Sequence, residues 1–296
     1  MAKGQSAEKT VLVTGPTSGI GRATALSLAA DGYRLVLLCR NERMGRSLSD
    51  EIAALPGAHK PVLLIADLGR TDQVRAAVKQ FLALNEPLHV LINNAGLVNT
   101  KRVLVDVEGA AHEQMFAVNH LGHFLLTNLL LPKLVESAVQ AGCPSRIVVV
   151  SSEAHALFCR GMDFDDLSQE KRFRGFRAYG RSKLANILMV KELARRVDRS
   201  QVQVNCLHPG AVRSGLGDNV ATKWYTALIK GMLGPFFISA ERGAQTSLFL
   251  ATADVETQGE YYYRRRVRRV KPWALDESAA TRLWELSERA VKWHAP

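Results

Sequence analysis

Val11-Leu12-Val13-Thr14-Gly15-Pro16-Thr17-Ser18-Gly19-Ile20-Gly21 runs from an apolar, β-branched stretch into three glycines and then into residues of helical period. Each glycine answers a separate backbone demand. Gly15 permits a tight turn out of the strand, Gly19 lets the main chain approach a pyrophosphate, and Gly21 lets the helix lie closely against the strand. The unpaired N–H groups of the helix's first turn, from Ser18 through Gly19 and Ile20, then face the anion. The spacing is G-x-x-x-G-x-G rather than G-x-G-x-x-G, so the order strand, turn, helix carries the reading.

Outward from that turn, short apolar runs at 10–14, 34–39, 62–66, 90–93, 146–151, 202–208 and 260–267 alternate with segments of helical spacing at 21–30, 42–54, 71–84, 113–139, 180–197 and 240–252. That alternation predicts repeated βαβ units. The expected fold is α/β: one Rossmann-type, doubly wound domain over residues 1–296, with a seven-stranded parallel sheet flanked by helices. No repeat or low-complexity linker marks a boundary. Residues 1–9 read as a polar tail and 268–296 as a C-terminal extension whose Leu283, Trp284, Leu286 and Val291 pack back on the body.

A hydrophobic share of 47% is ample for one continuous core. The longest apolar candidate, 124–135, is broken by Asn128, Pro132 and Lys133, short of the roughly 18–20 residues that span a bilayer. A cytoplasmic protein with reduced thiols is expected, since Cys39, Cys143, Cys159 and Cys206 form no C-x-x-C pair. The formal charge of +11 is concentrated in Arg264, Arg265, Arg266, Arg268, Arg269 and Lys271. That segment reads as a strand edge protected by charge or as a peripheral membrane or polyanion contact; nucleic acid is not the expected partner.

The second strand ends in Cys39-Arg40-Asn41, where an NAD enzyme would carry an acid for the ribose hydroxyls. A guanidinium at Arg40 suits a 2′-phosphate instead. Asp67-Leu68, after the third strand, offers an acceptor for the adenine amino group. Asn94-Ala95-Gly96, after the fourth, is small enough for a flat cofactor to pass close. In Tyr179-Gly180-Arg181-Ser182-Lys183 the four-residue separation sets a phenol and an ammonium on one helical face. The ammonium is expected to lower the phenol's ordinary pKa of about 10, so that Tyr179 serves as general acid or base. Ser151-Ser152 closes the fifth strand, where a hydroxyl can hold a substrate oxygen. Asn119 lies mid-helix, a poor place for asparagine unless its side chain has a task. His120 and His123 lack a third metal ligand at matched spacing and read as structural.

Together Thr14-Gly15-x-x-x-Gly19-Ile20-Gly21, Asp67-Leu68, Asn93-Asn94-Ala95-Gly96, Asn119-His120-Leu121-Gly122-His123-Phe124, Val150-Ser151-Ser152, Tyr179-x-x-x-Lys183 and His208-Pro209-Gly210 resemble the classical short-chain dehydrogenase/reductase family, in its retinol-dehydrogenase-like branch. The resemblance implies a catalytic tetrad of Asn119, Ser152, Tyr179 and Lys183, with Ser152 preferred over Ser151. It also implies nicotinamide-ribose contacts by Tyr179 and Lys183, a relay water on Asn119, and Pro209 and Gly210 lining the nicotinamide side. NADP(H) is the expected cofactor and a homo-oligomer the expected assembly. Two departures are an N-terminus without the apolar anchor of membrane-bound members, and Pro16 at a loop position often held by a small residue.

Residues 211–240 carry Leu216, Trp224, Tyr225, Leu228, Met232 and Phe236. They read either as a lid over an apolar pocket for a lipophilic aldehyde, ketone or alcohol or as a helix pair packed on the core. A non-catalytic, NADP(H)-binding scaffold that uses its basic segment for a partner is the competing functional class. Arg40→Asp is predicted to swing dinucleotide preference from NADP toward NAD in a binding titration; an unchanged preference would remove Arg40 from phosphate recognition.

Overall fold

Ile147, Val148, Val149 and Val150 follow one another without a polar break because both faces of their strand are covered. The computed structural model describes residues 9–212 and 238–294. Its main sheet holds β1 (Thr10–Thr14), β2 (Arg34–Cys39), β3 (Val62–Ile65), β4 (Val90–Asn93), β7 (Ser145–Val150), β8 (Val202–Leu207), β9 (Tyr261–Tyr263) and β10 (Arg266–Val267). The order is β10-β9-β8-β7-β4-β1-β2-β3, and every pairing is parallel except β9 with β10. The sheet thus has eight strands rather than seven. The difference lies in 260–267, which is a hairpin, not one strand: Arg264 and Arg265 both take positive φ, 50° and 64°, and turn the chain back. Its charges stand on the sheet's exposed edge strand, where they oppose edge-to-edge pairing.

Alternate residues of β1 point to opposite faces. Val11 and Val13 pack with Ala25 and Leu28 of α1 (Gly19–Ala30), Leu48 and Ile52 of α2 (Glu42–Ala53), and Leu250 of α8 (Ala240–Thr252). Leu12 faces the other layer, with Val74 and Phe81 of α3 (Thr71–Leu82), Phe124 and Leu130 of α5 (Gly122–Ala141), and Leu184 and Leu188 of α7 (Gly175–Arg196). Helices therefore cover both faces, as a doubly wound sheet requires.

The segment expected as one helix over 113–139 is built in three parts: α4 (Gln114–Phe116), a π-turn (Ala117–Leu121) and then α5. Ahead of it, β5 (Leu104–Val107) and β6 (Ala110–Glu113) form a separate antiparallel hairpin that sequence periodicity does not announce. The helix expected from 180 begins earlier, at Gly175. Of the lid candidate, 213–237 lies outside the described residues; its described flanks meet where Ile238 N–H bonds the Ala211 carbonyl at 2.9 Å. Among the described residues no helix is long and apolar enough to cross a membrane.

The C-terminal helix α9 (Glu277–Ala290) docks across α5 and α7 through Trp284, which is 3% exposed. Its indole meets Phe124 edge-on, with centroids 4.8 Å apart, and Arg196 covers the ring at 4.6 Å. Trp284→Ala is predicted to cost about 3–5 kcal/mol, read from the midpoint and slope of urea unfolding. A loss below about 1 kcal/mol, the scale of a surface change, would show that α9 is not part of the core.

Candidate active site

β1 pairs with β2 on one side and β4 on the other, so the chain's crossovers diverge at the carboxyl ends of β1 and β4. A crevice opens at such a point in open α/β sheets. Gly15 turns out of β1 at φ +62°, and a Cβ there would lie 2.9 Å from Ala95 Cα. A Cβ on Gly21 would meet the Gly15 carbonyl at 2.2 Å and Asn94 Nδ2 at 2.4 Å. The two loops are laced together as well as close. Thr14 Oγ1 accepts the Asn94 and Ala95 N–H groups, each at 2.9 Å, while Asn94 Nδ2 donates to the Thr14 and Gly15 carbonyls. Ser18 precedes α1 without a side-chain capping bond, so the first-turn N–H groups of Gly19 and Ile20 keep their capacity for an anion.

Arg40, at the end of β2, exposes its guanidinium, with Nη1 3.8 Å from Asp67 Oδ2 at the end of β3. The structure thus brings both expected adenosine-side residues to one edge. Asp67 is also held by its own loop, accepting Gly69 N–H at 2.8 Å. Leu68 has a packing role: it is buried, and its carbonyl would lie 2.1 Å from a Cβ on Gly122. Asn93 turns inward to Thr127 Oγ1 at 2.7 Å and takes no part in the crevice.

At the other end of the crevice, Tyr179 and Lys183 project from α7 on one face, with Nζ 5.8 Å from the ring centroid. The Lys183 ammonium donates to the Val150 carbonyl at 3.1 Å. Ser152 Oγ accepts Ala154 N–H at 3.2 Å and acts on the Tyr179 phenol, lowering its pKa, whereas Ser151 Oγ donates to the Lys183 carbonyl at 2.7 Å. The two serines are thereby told apart: one acts on the phenol and the other ties strand to helix. Asn119, wholly buried in the π-turn, accepts Leu97 N–H at 2.8 Å and donates to the Leu97 carbonyl and to Ser182 Oγ, both at 3.0 Å. Pro209 and Gly210 leave β8 at the same carboxyl edge, and Gly210, at φ +94°, donates to His208 Nδ1.

The electrostatics differ from expectation in one respect. Burial raises the Tyr179 phenol above its ordinary value, and the Ser152 hydrogen bond offsets only part of that. Lys183 is pushed down by burial to about 8. Removing the phenolate from water outweighs the Ser152 contribution, and the net effect favours the protonated phenol, the form a general acid needs.

The family model for short chain dehydrogenase matches residues 9–162. Retinol dehydrogenase 14 of Mus musculus is 41% identical over 297 residues, covering 96% of this chain and 86% of that protein. The chain belongs to the short-chain dehydrogenase family. Within it the chain is retinol-dehydrogenase-like: retinol dehydrogenase 11 of Homo sapiens is 42% identical, covering 94% of this chain and 84% of that one. A crystal structure of an uncharacterized protein from Mycobacterium paratuberculosis superposes with a TM-score of 0.76 at 30% identity, covering 98% of this chain and 96% of that one. As a short-chain dehydrogenase the chain is an oxidoreductase interconverting alcohol and carbonyl groups with a nicotinamide dinucleotide.

The crevice fits that cofactor at Gly96. A Cβ on Gly96 would sit 3.2 Å from Lys183 Nζ and 3.5 Å from Asn119 Oδ1, so the bare backbone there leaves both polar groups reachable. Sequence reasoning overlooked Thr14, whose hydroxyl knits the two loops, and Leu97 and Ser182, which hold the Asn119 amide. Only position relative to the glycines could have signalled Thr14; the other two act through backbone or across helices. A 15Nζ-lysine NMR titration is predicted to place the Lys183 midpoint near 8, with the ammonium present below that pH and lost above it. A midpoint at about 10.4, the value of a solvated lysine, would contradict the burial described.

Proposed function

We propose that this short-chain dehydrogenase is an NADP(H)-dependent oxidoreductase of lipophilic carbonyl and alcohol substrates, with Tyr179 as acid/base and Asn119, Ser152 and Lys183 assisting it. The observation that carries the reading is the placing of Tyr179 and Lys183 on one face of α7, Nζ 5.8 Å from the ring centroid and bonded to the Val150 carbonyl, at the carboxyl ends of the central strands. Bound dinucleotide supplies the hydride that reaches the carbonyl carbon. Ser152 holds the carbonyl oxygen, and Tyr179 gives it a proton as negative charge develops there. Lys183 then stabilises the phenolate left behind, until water returns its proton. Alcohol oxidation runs through the same groups in reverse.

Arg40 favours a phosphorylated cofactor, since an exposed guanidinium follows β2 where an NAD enzyme would carry an acid, and among the described residues its ion-pair partner is the Asp67 carboxylate at 3.8 Å. A protonated phenol and that cofactor both favour reduction. Lipophilic substrates are supported by an apolar surface beside the general acid. Phe158 and Phe176 stack at 5.2 Å, both exposed, with Phe176 one helical turn before Tyr179. The retinol dehydrogenases similar to this chain point to the same class.

Tyr179→Phe is predicted to lower the rate of NADPH-dependent reduction of a panel of lipophilic aldehydes by about 10²–10⁴-fold, with dinucleotide affinity nearly unchanged by fluorescence titration. The unmutated enzyme's reductive rate should fall as pH rises through about 8, where Lys183 loses its charge. Full activity of the phenylalanine variant, or no turnover by the unmutated protein of any carbonyl tested, would remove this reading.

A further inference from the structure

The π-turn that carries Asn119 is anchored on both sides by histidines. His120 Nε2 meets Ser287 Oγ of α9 at 2.8 Å, on the side away from the crevice. His123 reaches the other way: Nε2 lies 2.9 Å from Thr14 Oγ1 and Nδ1 lies 3.1 Å from the Asn119 carbonyl. Counting protons settles the direction of each bond. Thr14 Oγ1 already accepts two N–H groups, from Asn94 and Ala95. Its own proton therefore goes to a lone pair, and His123 Nε2 at 2.9 Å is better placed than the Ile92 carbonyl at 3.4 Å. With Nε2 accepting, Nδ1 carries the ring proton and donates it to Asn119. The ring is wholly buried and neutral, since burial pushes its pKa down to about 4, with Lys183 acting in the same direction and the Asn119 bond against it.

In a π-turn the backbone ladder slips by one residue, here with Gly122 N–H bonding the Ala117 carbonyl five residues back. One turn on, the His123 side chain brings a donor of its own to the Asn119 carbonyl. The run of bonds continues from Asn119 Nδ2 to Ser182 Oγ, and from that hydroxyl to the Tyr179 carbonyl at 2.8 Å.

We propose that His123 is a positioning residue for the reaction: its neutral ring, protonated on Nδ1, clamps the Asn119 carbonyl to the Thr14 hydroxyl that also holds the Asn94–Ala95 backbone. Glycine loop and general acid are thereby held in one frame, so that the dinucleotide crevice and the catalytic side chains keep a common geometry. The inference rests on the proposed roles of Asn119 and Tyr179.

Two measurements test it. In long-range 1H–15N spectra of the full-length, unmutated protein, His123 should show its proton on Nδ1; an Nε2–H ring would overturn the proposal, and this readout needs no turnover. In reductive kinetics, His123→Phe keeps the volume but removes both polar atoms, and kcat should drop on the order of 10²-fold, with the KM for dinucleotide little changed. His123→Gln can still accept from Thr14 and donate to Asn119, and should recover most of the loss. Wild-type kcat in the phenylalanine variant would overturn the proposal, as would equal losses in both variants accompanied by equal falls in thermal stability, which would mark simple packing. Should the unmutated protein reduce nothing, the proposed function fails while the tautomer still decides this inference.

Discussion

Between the turn after β1 and the chain leaving β4 there is no room for a side-chain carbon. A Cβ on Gly15 would press on Ala95, and one on Gly21 on the Gly15 carbonyl and the Asn94 amide. This close approach of two backbones, locked by the Thr14 hydroxyl, sets the separation of β1 from the loop after β4. It also decides where α1 presents its first-turn N–H groups. The rest of the crevice is arranged around that contact: Arg40 and Asp67 on the β2–β3 side, Ser152, Tyr179 and Lys183 on the β7 side.

Burial sets the electrostatics of the Tyr179–Lys183 end. The same removal of water that keeps the Tyr179 phenol protonated drives Lys183 down toward neutrality and holds His120 and His123 uncharged. A buried charge is costly unless bonded, and each of these groups is bonded: Lys183 to a strand carbonyl, the histidines to hydroxyls, Asn119 to the Leu97 backbone. The site is thus a polar chain inside an apolar shell, with Thr14 Oγ1 and the Asn119 amide each making several of its bonds.

Much of the parallel sheet was legible because strand-length apolar runs and helical periodicity are local signals. β1, β2 and β4 begin and end where the pattern puts them. The misses have local causes. β5 and β6, in 104–113, are only four residues each and bury little beyond Val107 and Glu113, too short a run for a period to be read from the sequence. Arg264 and Arg265 turn the chain at positive φ without a glycine or asparagine to announce it, so one expected strand is two. The π-turn at Ala117–Leu121 differs from ordinary helix by a single residue of ladder register, which side-chain spacing does not report.

The amino-acid sequence by itself determined which residues meet backbone demands that few others can: the glycines of the first turn, Gly96, and the Tyr179–Lys183 pair at helical spacing. These are short-range constraints, carried by φ/ψ sterics and by periodicity, and they are written where they act. Only the tertiary structure decided that Ser151 ties strand to helix, that the phenol is raised rather than lowered, and that His123 joins Thr14 to Asn119 across 109 residues of chain. Desolvation and hydrogen-bond direction depend on everything packed around a group, and no stretch of sequence contains its own surroundings.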